Sequence, residues 1–315
     1  WKQGTRLLRQ GTVLDAAGLG LLAAIGMTSV KVYEPLTVGV LSTGNEIVNV
    51  NASLPSQQDP PLAAREAVND SNRPMLLGLL RREPGVEVVD LGIAPDRKDA
   101  IKQVLQQAFR RCHLVISTGG ASMGELDFIK TILEEYQATL HFGRVKMKPG
   151  KPTTFATLHP TSTSREERME EGKKKRERKK CLFFGLPGNP VSAYCTYHLF
   201  ALEAIRSWNR QSEPLSMTPQ TDGPSGCPRI QVRWRGNDPI RYDAERAEYY
   251  RAIVYVNPLG ELVAQRPPGE PMSLGSSNIW NCVGSNALLE LPCKEGQLDV
   301  GEMCMALMTG PIALE

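Results

Sequence analysis

The sequence predicts an α/β chain: a mainly parallel sheet covered by helices on both faces, followed by a small β-domain. Three observations carry this. Between residues 37 and 210, short apolar runs alternate with stretches of helical period. From residue 229 onward, only short β-type runs remain, parted by Gly and Pro. Between the halves, residues 211–228 are rich in Pro, Ser, Gly and Thr and read as a linker. A chain of 315 residues is long enough to build both cores.

The elements follow in order. TVGVLST (37–43) reads as a buried strand. NDSNRPMLLGLLRR (69–82) offers capping residues, then Met75, Leu76, Leu79 and Leu80 at helical spacing. VEVVDLGI (86–93) is a strand, and DRKDAIKQVLQQAF (96–109) sets Ile101, Val104, Leu105 and Ala108 on one helical face. HLVISTGG (113–120) and DFIKTILEEY (127–136) repeat the alternation. CLFFGLPGNP (181–190) ends a strand, after which Asn189 and Pro190 can open a long helix to about Trp208. IQVRW, YRAIVYV, ALLELP and MCMALM supply the strands of the second half.

Composition narrows the function classes. Charged residues at 23% and hydrophobic residues at 41% are ordinary for a globular chain. A net charge of +3 is too small to indicate nucleic-acid binding, and no run of about 18 apolar residues predicts a membrane-spanning helix. Seven scattered cysteines without a Cys-x-x-Cys pair suggest reduced thiols in the cytosol. The histidines lack metal-ligand spacing, so a zinc site is not expected. Trp1 opens in a polar, basic stretch, which reads as the interior of a longer protein. Residues 165–180 are a charge-dense insertion flanked by two strands, expected to hang as a mobile loop from a hairpin.

Three glycine-bearing loops follow strands: STGNE (Ser42, Thr43, Gly44, Glu46), STGGASMGELD (Gly119, Gly120, Ser122, Asp127) and GLPGNPVS (Gly188, Asn189, Ser192). In a parallel sheet they gather outside the carboxyl ends of the strands, where ligands bind. Each is also explained as a tight turn or a helix cap. Neither a dinucleotide fingerprint nor a Walker loop is present, which disfavours a nucleotide-dependent oxidoreductase. GRVKMKPGKPTTF (143–155) is harder to explain as a plain loop. Lys148 and Lys151 bracket a stiff Pro-Gly, and holding two like charges close is costly unless an anion compensates. Glu46, Asp70, Asp96, Glu125 and Asp127 fall at strand ends or helix starts nearby, so a divalent cation, Mg²⁺ by preference, is expected to bridge them to the anion.

Taken in order, STGNE, DSN, GGASMGELD, KPGKP and GLPGNPVSA resemble the molybdopterin molybdotransferase family, and HFGRVKMKPGKPTTFATL resembles its animal-type members most. The resemblance implies a three-layer α/β/α molybdopterin-binding-like domain over 37–210 and a β-barrel-like domain over 229–315. Residues 1–36 would be a remnant of the family's N-terminal region. It implies molybdate insertion into adenylylated molybdopterin with Mg²⁺, releasing AMP and molybdenum cofactor. By motif, Lys148, Lys151, Pro152, Ser122 and Ser192 line the oxyanion site. Asp127, Asp96 and Glu46 serve the pterin and the metal, with Asp127 and Glu46 as metal ligands and Asp70 beside them. Ser42, Thr43, Gly44, Gly119, Gly120, Gly188 and Asn189 cradle the substrate, and Arg246 and Ser277 join from the second domain. The resemblance further implies a homodimer formed through the region preceding Trp1, and in some members an adenylylating domain fused upstream. Animal-type members also cluster inhibitory glycine and GABA-A receptors. Tyr249 and Pro292 match that receptor groove, while Met305 stands where its aspartate is expected.

Overall fold

The computed structural model of the chain describes residues 2, 4–49, 67–119, 128–159, 180–209, 227–267 and 275–314. Gly120, Ser122 and Asp127 lie outside the described residues, as do Glu125, the insertion up to residue 179 and the linker up to residue 226.

Helix α1 (Ala16–Ala24) starts at Asp15, whose carboxylate accepts the Gly18 N–H at 2.8 Å. Strand β1 (Leu36–Thr43) follows, then a short parallel pair, β2 (Ile47–Val48) and β3 (Val68–Asn69). Helix α2 (Asn72–Leu80), strand β4 (Val86–Ala94), helix α3 (Lys98–Arg111), strand β5 (Leu114–Thr118) and helix α4 (Phe128–Glu135) continue the alternation. Next come β6 (Thr139–Phe142), β7 (Met147–Lys148), β8 (Thr154–Leu158) and β9 (Cys181–Leu186). Helix α5 (Pro190–Thr196) passes through a widened π turn, Tyr197–Ala201, into α6 (Leu202–Asn209). The sequence predicts one unbroken helix there. Residues 191–199 are all buried, so packing on every side holds the wider turn.

The first sheet has the order β4-β1-β5-β9-β8-β6. Its first four strands are parallel, and β8 and β6 complete it as antiparallel neighbours. Period-2 alternation splits the strand residues between two cores. Val38, Val40, Leu114, Ile116, Phe184 and Leu186 face α2, α5 and α6. Leu41, Val115 and Phe183 face the opposite layer, with Ile101 and Leu105 of α3 and Ile129 and Ile132 of α4. The result is a three-layer α/β/α arrangement. Each such side chain removed from water contributes roughly 1.5–3 kcal/mol, so the sheet face rather than helix propensity sets the fold.

The second half contains β10 (Arg229–Trp234), β11 (Ile240–Arg241), β12 (Ala247–Val256) and β13 (Leu262–Gln265). After these come β14 (Ala287–Leu291), β15 (Gln297–Leu298), β16 (Met303–Met308) and β17 (Ala313–Leu314). Strands β13, β10, β16, β14 and β12 pair in turn, and β12 pairs back to β13, closing a five-stranded barrel. Trp234, fully buried, meets Tyr250 edge-on at 5.9 Å inside it. The halves are joined by backbone and by core. β7 pairs with the start of β12, and Leu288 and Leu307 of the barrel enter the α2/α5 core. Among the described residues no helix is long and apolar enough to cross a membrane.

Candidate functional site

Register places the predicted loops together. Thr43 lies opposite Ala94, Ser42 opposite Thr118, and Thr118 opposite Leu186, so the loops leaving β1, β4, β5 and β9 share one edge. Strand β8 runs antiparallel, and its first residue, Thr154, pairs with Gly185 near the end of β9. The lysine loop that enters β8 therefore reaches the same edge.

On the sheet side Ser42, Thr43, Asp70, Arg73 and Thr118 are buried and hydrogen-bonded to one another. The Ser42 hydroxyl donates to Asp70 Oδ1 at 3.0 Å and lies 3.2 Å from the Thr118 hydroxyl. The Thr43 hydroxyl donates to the Thr118 carbonyl at 3.3 Å. Asp70 Oδ1 also accepts the Arg73 N–H at 3.1 Å, and Asp70 Oδ2 accepts Arg73 Nε at 2.9 Å. Arg73 Nη1 donates to Asp90 Oδ2 at 2.6 Å, tying the loop to β4. Every oxygen of Asp70 is thus engaged, which suits holding Ser42 in place better than moving protons.

Two backbones pass close to one another here, and only glycine permits it. Gly119 has φ +82°, and a Cβ on it would stand 2.2 Å from the Thr43 carbonyl oxygen. Gly188 packs against Gly119 and offers its carbonyl to Asn72 Nδ2 at 2.7 Å. Gly44, the turn glycine after β1, sits beside the carboxylate of Glu46. Asn189 precedes α5 but does not cap it with its side chain. Its amide instead donates to the Ser276 hydroxyl at 2.9 Å and accepts from the Ser277 hydroxyl at 3.5 Å, bringing a loop of the second half to the site. Ser192 is buried in the first turn of α5.

Asp96 and Glu46 form the acidic part. The Asp96 N–H donates to Asn45 Oδ1 at 2.9 Å, while Asp96 Oδ1 is buried without a hydrogen-bond partner. Burial first, then the charge of Glu46, push the Asp96 pKa up. A buried, unpaired carboxylate oxygen beside a second carboxylate is a donor set that a hard divalent cation fits. Among the described residues no group of three or more ligating side chains forms, and the predicted third ligand, Asp127, lies outside them.

The lysine loop is built by different means. Met147 is buried, and the pair Met147–Lys148 adds to the edge of β12, with Lys148 opposite Glu248. Gly150 has φ +115°, and a Cβ there would meet Thr196 of α5 at 2.4 Å. The Thr153 hydroxyl donates to the Gly150 carbonyl at 2.6 Å, and the Lys151 carbonyl accepts the Val145 N–H at 2.9 Å, so the loop is closed on itself. Lys151 is exposed and Pro152 half-buried. Lys148 Nζ lies 3.2 Å from Glu248 Oε2 and 3.8 Å from Asp243 Oδ2. Arg246 Nη2 donates to the same Asp243 Oδ2 at 3.3 Å. Lys148 and Arg246, far apart in sequence, thus share one carboxylate.

Sequence reasoning passed over Asn45, Asn72, Arg73, Asp243, Glu248 and Ser276. Asn72 and Arg73 stand in the quoted DSNR stretch and could have been singled out there. Asp243 and Glu248 gave no local signal, because their role depends on β7 pairing with β12.

Residues 39–207 match a family model described as "Probable molybdopterin binding domain". That is more than half of the chain. The chain belongs to this family. It is also 33% identical over 320 aligned residues to gephyrin of Dictyostelium discoideum, covering 98% of this chain and 41% of that protein. It is 30% identical to the molybdopterin molybdenumtransferase of Haemophilus influenzae, covering 96% of this chain and 63% of that enzyme. The corresponding enzyme of Nostoc is 30% identical, with 98% and 61% covered. Among solved structures, the molybdopterin biosynthesis moeA protein of Pyrococcus horikoshii superposes with a TM-score of 0.64 at 22% identity, over 98% of this chain and 62% of that one. This last likeness speaks to the fold alone. The chain spans about two-fifths to two-thirds of the length of these relatives.

Proposed function

We propose that this chain forms the substrate-binding part of a molybdopterin molybdotransferase, which inserts molybdate into adenylylated molybdopterin and releases AMP and molybdenum cofactor. The observation that carries the proposal is the common edge. The loops leaving four parallel strands and the loop bearing Lys148 and Lys151 meet there, and Arg246 arrives from the barrel onto the same carboxylate as Lys148. The names of the Haemophilus and Nostoc relatives agree with it.

Each side chain then has a task. Lys148, Lys151 and Arg246 neutralise the tetrahedral oxyanion and the pterin phosphate, and Ser122, Ser192 and Pro152 are assigned to the same oxyanion site. Asp70 orients Ser42, and the Gly119–Gly188 contact, with Gly120, lets substrate approach the backbone. Asn189 and Ser277 close the side toward the barrel. Glu46, Asp96 and Asp127 would hold Mg²⁺, which supplies charge neutralisation to the phosphate. Dimerisation, and an adenylylating domain in the same protein, belong to this proposal, and the greater length of the relatives leaves room for both. All seven cysteines are free, which suits a reducing compartment such as the cytosol. Nothing in the fold or the comparisons favours a receptor-clustering role.

The test is molybdate-dependent AMP release from adenylylated molybdopterin, comparing wild type with Asp127→Asn at matched melting temperature. The proposal expects release by wild type and a large loss in the variant. Wild-type turnover in a folded Asp127→Asn protein would contradict the assignment of that residue.

A further inference from the structure

We propose that Asp243 and Glu248 are fixed counter-ions that restrain how tightly the Lys148–Arg246 pair holds a bare tetrahedral dianion. The inference rests on the oxyanion role of Lys148 proposed above and adds residues from the barrel that govern it.

The geometry is specific. Two cations and two carboxylates stand within contact distance, so the cluster is electrically neutral before any ligand arrives. The ammonium side chain is 46% exposed, whereas Asp243 and Glu248 are only 16% and 14% exposed. The negative groups therefore form the wall and the positive head faces the mouth. Asp243 cannot swing away. Its Oδ1 accepts the N–H groups of Glu245 at 2.9 Å and Arg246 at 3.0 Å, which fixes a turn before β12. Those backbone bonds, with Arg246 and Lys148, hold its pKa below the usual carboxylate value, so it stays ionised. Glu248 is fixed by its place in β12, between Leu291 of β14 and Lys148 of β7.

Of the three N–H donors of the ammonium, Glu248 at 3.2 Å can take one, while Asp243 at 3.8 Å acts through its charge alone, so donors remain for a ligand. A dianion docking on it meets Lys148 and Arg246, but also two carboxylates of like sign a few ångströms beyond. Free sulfate or phosphate gains little from such a site. A substrate that is also gripped by the sheet-side loops tolerates the repulsion, because its other contacts hold it. The carboxylates thus lower the affinity for any free dianion that lacks those other contacts.

The test uses Glu248→Gln and Asp243→Asn, both of which preserve side-chain size. The Asn oxygen keeps an acceptor for the turn at Glu245 and Arg246. Molybdate and sulfate binding is measured by calorimetry in wild type, both variants and Lys148→Ala, at two ionic strengths. The proposal expects each neutralising variant to bind both anions about three- to tenfold tighter, the gain shrinking as salt rises, as screened Coulomb repulsion at this range requires. Unchanged or weaker binding in folded Glu248→Gln and Asp243→Asn, with Lys148→Ala still weakened, would overturn the counter-ion role while leaving the oxyanion site standing. If Lys148→Ala itself leaves both affinities unchanged, the oxyanion site falls, and the counter-ion role with it.

Discussion

The two sides of the site are built by opposite means. On the sheet side, Ser42, Thr43, Asp70 and Thr118 are buried, hydrogen-bonded to one another, and clamped by glycines that leave no room for a side chain. On the loop side, Lys148 and Arg246 are partly exposed; Lys148 is held by an ion pair to Glu248 on a strand of the other half, and Arg246 by Asp243 three residues before it. The first is set by sterics and a low-dielectric network, where any missing partner is costly. The second is set by charge near water, where single pairs are weak and salt acts. One side should therefore fail by losing stability, the other by changing affinity with the fold intact.

The largest effect is expected at Arg73. Arg73→Leu leaves the Asp70 carboxylate buried without its partner, and removing one member of such a pair costs about 3–5 kcal/mol. Urea unfolding should show the loss, and a variant as stable as wild type would mean that the buried network contributes little. Gly119→Ala comes next. Its methyl group would collide with the Thr43 carbonyl at a positive φ, an overpacking cost of about 3 kcal/mol that should appear as a lower melting temperature.

A smaller effect separates the sides by pH. His198 is buried in the π turn that joins α5 to α6, and burial first, then Arg206 and Arg82, lower its pKa to about 3. The folded state keeps the ring neutral while the unfolded chain protonates it near 6.5. Its contribution is fully present above that unfolded value and is lost progressively as pH falls from there toward 3. His198→Phe should flatten the melting temperature against pH across that window, and an unflattened profile would show that His198 does not govern it. Oxyanion affinity on the loop side should respond to salt instead.

Much of this was legible in the sequence, for reasons that differ by element. The short, nearly continuous apolar runs in TVGVLST and HLVIST predict β1 and β5 as buried strands, because each strand buries both faces. The glycine loops are predicted at one edge because parallel connections leave them no other place, and the registers agree. The barrel closure was legible only through the family resemblance, not in the local pattern of residues. It depends on β10 and β13 pairing in parallel across a long stretch of chain, which leaves no local pattern. The same holds for Asp243 beside Lys148. The π turn at Tyr197–Ala201 escaped notice because a run buried on all sides has no helical stripe to interrupt.

The account's central claim is that the lysine loop and the parallel-strand loops form one oxyanion site. Molybdate affinity measured by calorimetry in wild type, Lys148→Ala and Lys151→Ala tests it most directly. The account predicts binding weakened by about 1–3 kcal/mol in each variant, the scale of a charge-assisted hydrogen bond, with an unchanged melting temperature. Wild-type affinity in both folded variants would contradict it.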